Sequence, residues 1–314
     1  MSEPASPNVT VVCCTHNRVQ FVRRHYAMLR DRLTSACEIL YALDHCTDDT
    51  LAFVQGIAAV DPRVRFAAND GPAGLFSCRN FAIAQARGRY IHYLDDDDAV
   101  SDGFYAAIDA AIAAGLEGEM LLTDLVLDEE GHAPRHLTIV DRQHVATHTE
   151  GPATIIEGDL FDHILHGRLY FYNGNTLIRR NLLQRHPFRA EIRKTADWLL
   201  YLEVSHLQPI RQVYLPGVHA IYCVHGASMS IAPDKVYWSM KAFEALYGLV
   251  PRDHAHAPAT RRAYARALFD AGYAARLENK HAAMGYYWQS ARLGRPLKAM
   301  LAVAKLALVR KASA

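Results

Sequence analysis

The strongest constraint on the fold is an alternation in the first hundred residues. Short, mostly apolar runs at residues 9–14, 38–43, 64–67 and 90–94 are separated by helically spaced stretches at residues 18–33, 49–60 and 75–86. Continuous rather than alternating apolar runs belong to strands buried on both faces. Strands of that kind joined by helices are βαβ units, which build a parallel sheet. Right-handed crossovers then bring every strand's C-terminal end to one edge, where open α/β sheets bind their ligands.

Beyond residue 98 the rhythm changes. An Ala-rich helix is expected over 104–114 and an apolar strand over 120–127. Residues 129–152, rich in His, Thr, Gly and Pro, read as a long excursion with a hairpin around 136–140. Strand composition returns at 169–178 and 218–224, with a helix over 197–204 between them. From about residue 233 nearly everything has helical character, so a boundary is expected between 230 and 255. The expected plan is a sheet domain over residues 1–232, with halves at about 8–100 and 101–232, and a helical region over 233–314. That agrees with about 150 residues per domain for a 314-residue chain.

Composition mainly excludes. With 51% hydrophobic and 21% charged residues the chain is neither disordered nor fibrous. A formal net charge of +1 gives no indication of nucleic acid. The six cysteines form no C-x-x-C pair and sit in or beside apolar runs, which suits free thiols in a reducing compartment. The first residues carry neither a basic n-region nor an apolar h-region, and no stretch reaches about 18 uninterrupted apolar residues. A cytoplasmic location is the expectation.

In a parallel sheet the informative residues follow each strand. Here they are Thr15, His16, Asn17 and Arg18, then Asp44, then Asn69 with Asp70 and Gly71, and finally four consecutive aspartates, Asp95 to Asp98. Hard carboxylate oxygens gathered at a strand end suit Mg²⁺ or Mn²⁺, which completes its shell with phosphate oxygens. The plainer explanation is an acidic turn favouring the start of the helix near residue 102. No G-x-x-x-x-G-K-[ST] and no G-x-G-x-x-G follows the first strand, so a phosphate ligand would rest on carboxylates and metal rather than on a glycine-rich cradle.

Three segments in order now resemble a known family. The runs V-T-V-V-C-C-T-H-N-R, L-D-H-C-T-D-D-T and R-N-F-A-I-A-Q-A-R-G-R-Y-I-H-Y-L-D-D-D-D look like those of family 2 glycosyltransferases of the GT-A fold, over roughly residues 8–230. The fold the resemblance implies is a Rossmann-like, mostly parallel α/β sheet with flanking helices, here with a C-terminal helical region. The activity it implies is inverting transfer of a sugar from a nucleotide-diphosphate sugar to a hydroxyl of a glycan, a lipid-linked sugar or another acceptor. By the same resemblance Thr15, Asn17 and Arg18 line the nucleotide, Asp44 contacts the base, and Arg79 and Asn80 close on the nucleotide. Asp95, Asp96 and Asp97 span the D-x-D motif, Asp95 facing ribose and metal, Asp96 lying between on the donor side, and Asp97 ligating Mn²⁺ or Mg²⁺. A carboxylate at Asp44 accepts from the imide N–H of uracil or thymine, which favours a UDP- or dTDP-sugar.

Further on, K-T-A-D-W-L-L resembles the family's segment bearing the catalytic base, which points to Asp197, although Ala196 stands where the family often has a second acid. Y-C-V-H-G-A-S-M-S resembles a segment that implies His225 as a metal or diphosphate contact, with Ser228 and Ser230 in a closing loop and Cys223 in place of an Arg. Tyr170 to Asn175 falls where the family presents acceptor-side residues; buried strand aromatics are the commoner explanation. A sugar nucleotidyltransferase of the same fold would need a glycine-rich basic loop that T-H-N-R does not supply. A non-catalytic sugar-binding protein would not need the intact aspartates.

Neutrality overall conceals a polarity. From Arg252 onward there are twelve Lys or Arg against three acids, a charge of +9, which leaves −8 on the rest of the chain. The last segment, P-L-K-A-M-L-A-V-A-K-L-A-L-V-R-K, is too short to span a bilayer. Peripheral contact with the anionic inner face of a membrane and packing on this domain or a second copy are the two readings of it.

Overall fold

The computed structural model describes residues 6–226 and 234–308. Contacts divide them into two units. One joins the chain up to Arg193 with Gln208–Gly226; the other joins Lys194–Leu207 with the C-terminal region.

In the first unit, β1 (Val9–Thr15), α1 (Val19–Arg30), β2 (Cys37–Asp44), α2 (Thr50–Ala58), β3 (Val64–Asn69), α3 (Leu75–Gln85) and β4 (Tyr90–Tyr93) follow the expected alternation. The order β3-β2-β1-β4 is parallel throughout, with Asp44 paired to Asn69 and Thr15 to Leu43. Every residue of β2 is buried because it has a strand on each side and cover on both faces. Strand β3, at the sheet edge, alternates buried and open positions instead. Gly88 permits the tight entry to β4: a Cβ there would lie 2.3 Å from the backbone N of Thr10.

The remainder of this unit is β5 (Ala99–Val100), α4 (Phe104–Ala113), β6 (Met120–Glu129), β7 (Arg135–His136), β8 (Thr147–Glu150), β9 (Ala153–Ile156), α5 (Leu160–Leu165), β10 (Thr176–Arg179), α6 (Arg180–Arg185) and, after the intervening helix, β11 (Gln212–Val224). Here the sheet becomes mixed. β10 runs antiparallel between β4 and β6, and β11 is parallel to β6 with a register shift between Leu215 and His219. The 129–152 excursion contains a hairpin, but its turn spans 130–134 rather than centring on 136–140, with His136 in the returning strand opposite Val126, and the excursion then adds β8, which pairs with β9.

The strand expected over 169–178 is cut short. Residues Asn173–Asn175 form a 3₁₀ turn, and the strand begins only at Thr176. The Asn175 side chain is the reason: its Nδ2 donates to Thr123 O (3.0 Å) and its Oδ1 accepts from the Tyr172 amide (2.8 Å), bonds that hold the backbone out of the ladder. Strand β11 starts at Gln212, six residues before its expected start at 218, because the apolar run Val213–Leu215 already pairs with β6 and β9.

The second unit contains α7 (Ala196–Leu207), α8 (Lys235–Leu249), α9 (Ala257–Ala275), α10 (Lys280–Leu293) and α11 (Pro296–Leu308). One small core gathers Met240, Tyr264, Leu268 and Ala271, and another Ala283, Tyr287 and Ala299. Along α11 Ala299 is buried while Leu297, Met300 and Leu301 are exposed. No helix among the described residues is long and apolar enough to cross a membrane.

Candidate active site

The ends of β1, β2 and β4 converge as the parallel register requires. The four aspartates after β4 alternate: Asp96 and Asp98 are buried, whereas Asp95 and Asp97 keep 30% and 17% of their side chains exposed. The Asp98 amide donates to Asp95 O at 3.0 Å, closing a turn over the four residues in which one pair faces the protein and the other the open edge.

The inward pair is engaged by the protein. Asp96 accepts from Thr15 Oγ1 at 2.7 Å and pairs with Arg18 Nε at 3.2 Å. Burial pushes its carboxyl up to about 7, against the pull of Arg18 and of the Thr15 hydrogen bond. Asp98 accepts from the Tyr172 hydroxyl at 2.5 Å and from the Cys223 amide at 3.0 Å. Its carboxyl is raised by burial first and by the charge of Asp95 second. Both are structural ties between strand ends.

The outward pair is framed by cations. Arg79 is 1% exposed and donates from Nη2 to Asp95 at 2.7 Å, its guanidinium packed among the rings of Phe76, Tyr93 and Phe188. Asp97 receives Arg18 Nη2 at 2.8 Å and His225 Nε2 at 3.0 Å. Arg18 in turn lies 4.0 Å above the Phe21 ring, which fixes the guanidinium plane.

Three expected residues have conspicuous intramolecular work. The Asn17 side-chain oxygen accepts from the amides of Thr47 (2.6 Å) and Asp48 (3.2 Å), so it shapes the loop after β2, and Asn17 itself sits at φ 53°. Asn80 makes a reciprocal pair with the backbone of Phe188, 2.8 Å from Nδ2 to O and 2.9 Å from N to Oδ1. Asp44 is buried and accepts from Asn69 Nδ2 and from the Gly74 amide, both at 2.9 Å, which pins the loop entering α3.

Thr15, Arg18, Arg79, Asp95, Asp96, Asp97 and His225 are therefore brought together by direct contacts. Asp197 lies in the second unit, in the first turn of α7, where its Oδ1 accepts from the Trp198 amide at 2.9 Å. Ser228 and Ser230 lie outside the described residues. The sequence reading did not single out the Tyr172–Asp98–Cys223 tie. Four identical residues in a row carry no sequence signal for it.

The model of the family described as glycosyl transferase family 2 matches residues 10–187, more than half of the chain. The chain belongs to glycosyltransferase family 2. This glycosyltransferase is 24% identical over 230 residues to a glycosyltransferase of Haemophilus influenzae, covering 71% of this chain and 68% of that one. Over 101 residues it is 29% identical to the GalNAc(5)-diNAcBac-PP-undecaprenol beta-1,3-glucosyltransferase of Campylobacter jejuni, covering 31% of this chain and 32% of the relative. Among solved structures, Staphylococcus aureus TarS 1–349 in complex with UDP-GlcNAc superposes with a TM-score of 0.66 at 15% identity, covering 91% of this chain and 81% of that one. The mannosyltransferase PcManGT of Pyrobaculum calidifontis, in complex with GDP-Man and Mn²⁺, superposes with a TM-score of 0.58 at 17% identity, over 96% and 81% of the two chains. The glycosyltransferase thus has the GT-A-like α/β architecture of these neighbours.

Proposed function

We propose that this glycosyltransferase moves a sugar from a nucleotide-diphosphate donor to an acceptor hydroxyl with inversion at C1, and that residues 1–232 carry the reaction. The observation that carries the reading is the division of the aspartates: two are consumed by the fold, and Asp95 and Asp97 are presented at the strand ends with Arg79, Arg18 and His225 behind them. TarS with UDP-GlcNAc and PcManGT with GDP-Man and Mn²⁺ support a nucleotide-sugar donor.

The donor set, two hard carboxylates with an imidazole beside them, fits Mn²⁺ or Mg²⁺. Asp95, Asp97 and His225 would hold that cation, which when bound neutralises charge on the diphosphate. Thr15 and Arg18 keep the D-x-D backbone in place through Asp96 and Asp97, and Arg79 orients Asp95. Asp44, with a second lone pair left on each oxygen, accepts from the imide N–H of a uracil or thymine base, so a UDP- or dTDP-sugar is favoured. Asn17 and Asn80 act from behind, shaping the two loops that line the nucleotide.

In the displacement itself the acceptor oxygen bonds to C1 as the bond from C1 to the phosphate oxygen breaks. The hydroxyl proton passes to Asp197, and the nucleoside diphosphate departs. The base role of Asp197 rests on the family resemblance of its K-T-A-D-W-L-L context. On α11 the exposed Leu297 and Leu301 beside Lys298 support peripheral contact with anionic lipid or with a second copy. A panel of UDP-, dTDP- and GDP-sugars with Mn²⁺, read by thermal shift and by donor hydrolysis, tests the reading. A response to none of them rejects it.

A further inference from the structure

Three histidines meet in the second unit, away from the aspartates in sequence. His206 lies in the last turn of α7, while His254 and His256 flank Ala255 in the turn that leads into α9. One ligand atom from each ring lies within 4.8 Å of the other two. The Nδ1 atoms of His206 and His256 are 3.0 Å apart, and the ring centroids are 4.5 to 5.3 Å apart.

The turn that presents them is built. The His254 amide donates to Pro251 O at 3.1 Å, and the Ala257 amide to His254 O at 2.9 Å. The Thr260 amide and hydroxyl both donate to His256 O at 3.0 Å. His206 and His256 are half-buried, so both rings are held by packing as well.

We propose that His206, His254 and His256 form a binding site for a borderline transition-metal cation, Zn²⁺ by class. Imidazole nitrogen suits Zn²⁺, Co²⁺ and Ni²⁺, whereas Mg²⁺ and Mn²⁺ prefer carboxylate and phosphate oxygens. Zn–N bonds of about 2.0–2.1 Å in a tetrahedron place ligand nitrogens roughly 3.3 Å apart, close to the spacing already present between His206 and His256. Without a cation one Nδ1–H must donate to the other Nδ1, and the His256 amide donates to His254 Nδ1 at 3.1 Å. Loading replaces the hydrogen bond between His206 and His256 with metal bonds. Each neutral ring keeps one N–H, shifted to the nitrogen that does not ligate, so proton count is conserved. Three protein ligands leave a fourth position for water. The bound ion clamps the C-terminal end of α7 to the turn between α8 and α9, a cross-link inside this unit.

The test uses the full chain, stripped of metal and dialysed into excess Mg²⁺ so that the aspartates do not compete for the probe. Titration with Co²⁺ is expected to give the intense visible bands of a nitrogen-rich tetrahedral ion. Titration with ZnCl₂ is expected to give one equivalent and a raised thermal midpoint. His206→Ala should abolish both responses. His254→Gln, at a ring that reaches solvent, should fold normally and weaken Zn²⁺ binding by roughly 100-fold or more. Absence of Co²⁺ bands in the wild-type chain, or Zn²⁺ binding by either variant at wild-type strength, overturns the proposal. Neither result bears on the donor reading, which is measured with Mn²⁺ and nucleotide sugars.

Discussion

Arg79, 1% exposed among three aromatic rings, donates to the partly exposed Asp95 at 2.7 Å. A buried cation on α3 thereby aims a carboxylate that lies 16 residues further on. Removing it leaves both a cavity and an unpaired carboxylate. Arg79→Ala is expected to lower stability by about 3 kcal/mol, read by urea unfolding. Arg79→Lys keeps the charge but loses the planar stack, so it should fold better yet raise KM for the donor. An unchanged donor KM in a folded Lys variant would show that Asp95 needs no such support.

Asp97 stands between Arg18 and His225 and faces the open edge. Asp97→Asn should leave the unfolding midpoint near that of wild type and reduce kcat/KM for transfer by about 100-fold or more. Raising Mn²⁺ should recover part of that loss. Full activity in the variant would remove Asp97 from the cation site.

The proposed proton acceptor has its own signature. Asp197→Asn should abolish transfer while donor binding, measured calorimetrically, stays within about twofold of wild type. Unchanged turnover would reassign the base.

A pH effect on stability follows from His92. It lies fully buried, donating from Nε2 to Gly174 O at 2.7 Å and accepting from the Tyr105 hydroxyl at 2.9 Å. Burial lowers its pKa from 6.5 to about 4. Below pH 6.5 the unfolded chain takes up a proton that the folded chain refuses, so stability falls as pH drops towards 4 and this contribution then levels off. The loss due to this residue is on the order of 3 kcal/mol. His25, lowered to about 3 by burial, acts in the same sense. Urea midpoints at pH 7.5, 6 and 4.5 should show the decline, and His92→Gln should flatten part of it. A slope identical in that variant would exclude His92 as a source.

Two glycines make opposite predictions. At Gly88 a Cβ would meet the Thr10 backbone N at 2.3 Å, so Gly88→Ala is expected to cost about 3 kcal/mol or more. At Gly56, exposed on α2 with nothing within 4 Å, alanine should stabilise by about 0.5–1 kcal/mol. A thermal midpoint for Gly88→Ala at or above that of wild type would refute the close approach.

The local patterning of the chain was enough to place β1 to β4, their helices and the carboxylates at their ends. Continuous apolar runs and helical spacing act over a few residues, and parallel topology then gathers the strand ends without further information. What the pattern could not decide was the use of each polar group. Four aspartates look alike in sequence; tertiary packing made Asp96 and Asp98 ties to Thr15, Tyr172 and the Cys223 backbone, and left Asp95 and Asp97 facing out. The 3₁₀ turn at 173–175 was hidden because Asn175 bonds to Thr123, a partner 52 residues away. The histidine cluster was silent for the same reason: in a chain with 17 histidines, His206 and the 254–256 pair become neighbours only when α7 packs with the C-terminal helices. Local free energies set the elements, and burial and long-range hydrogen bonds choose among chemically identical side chains.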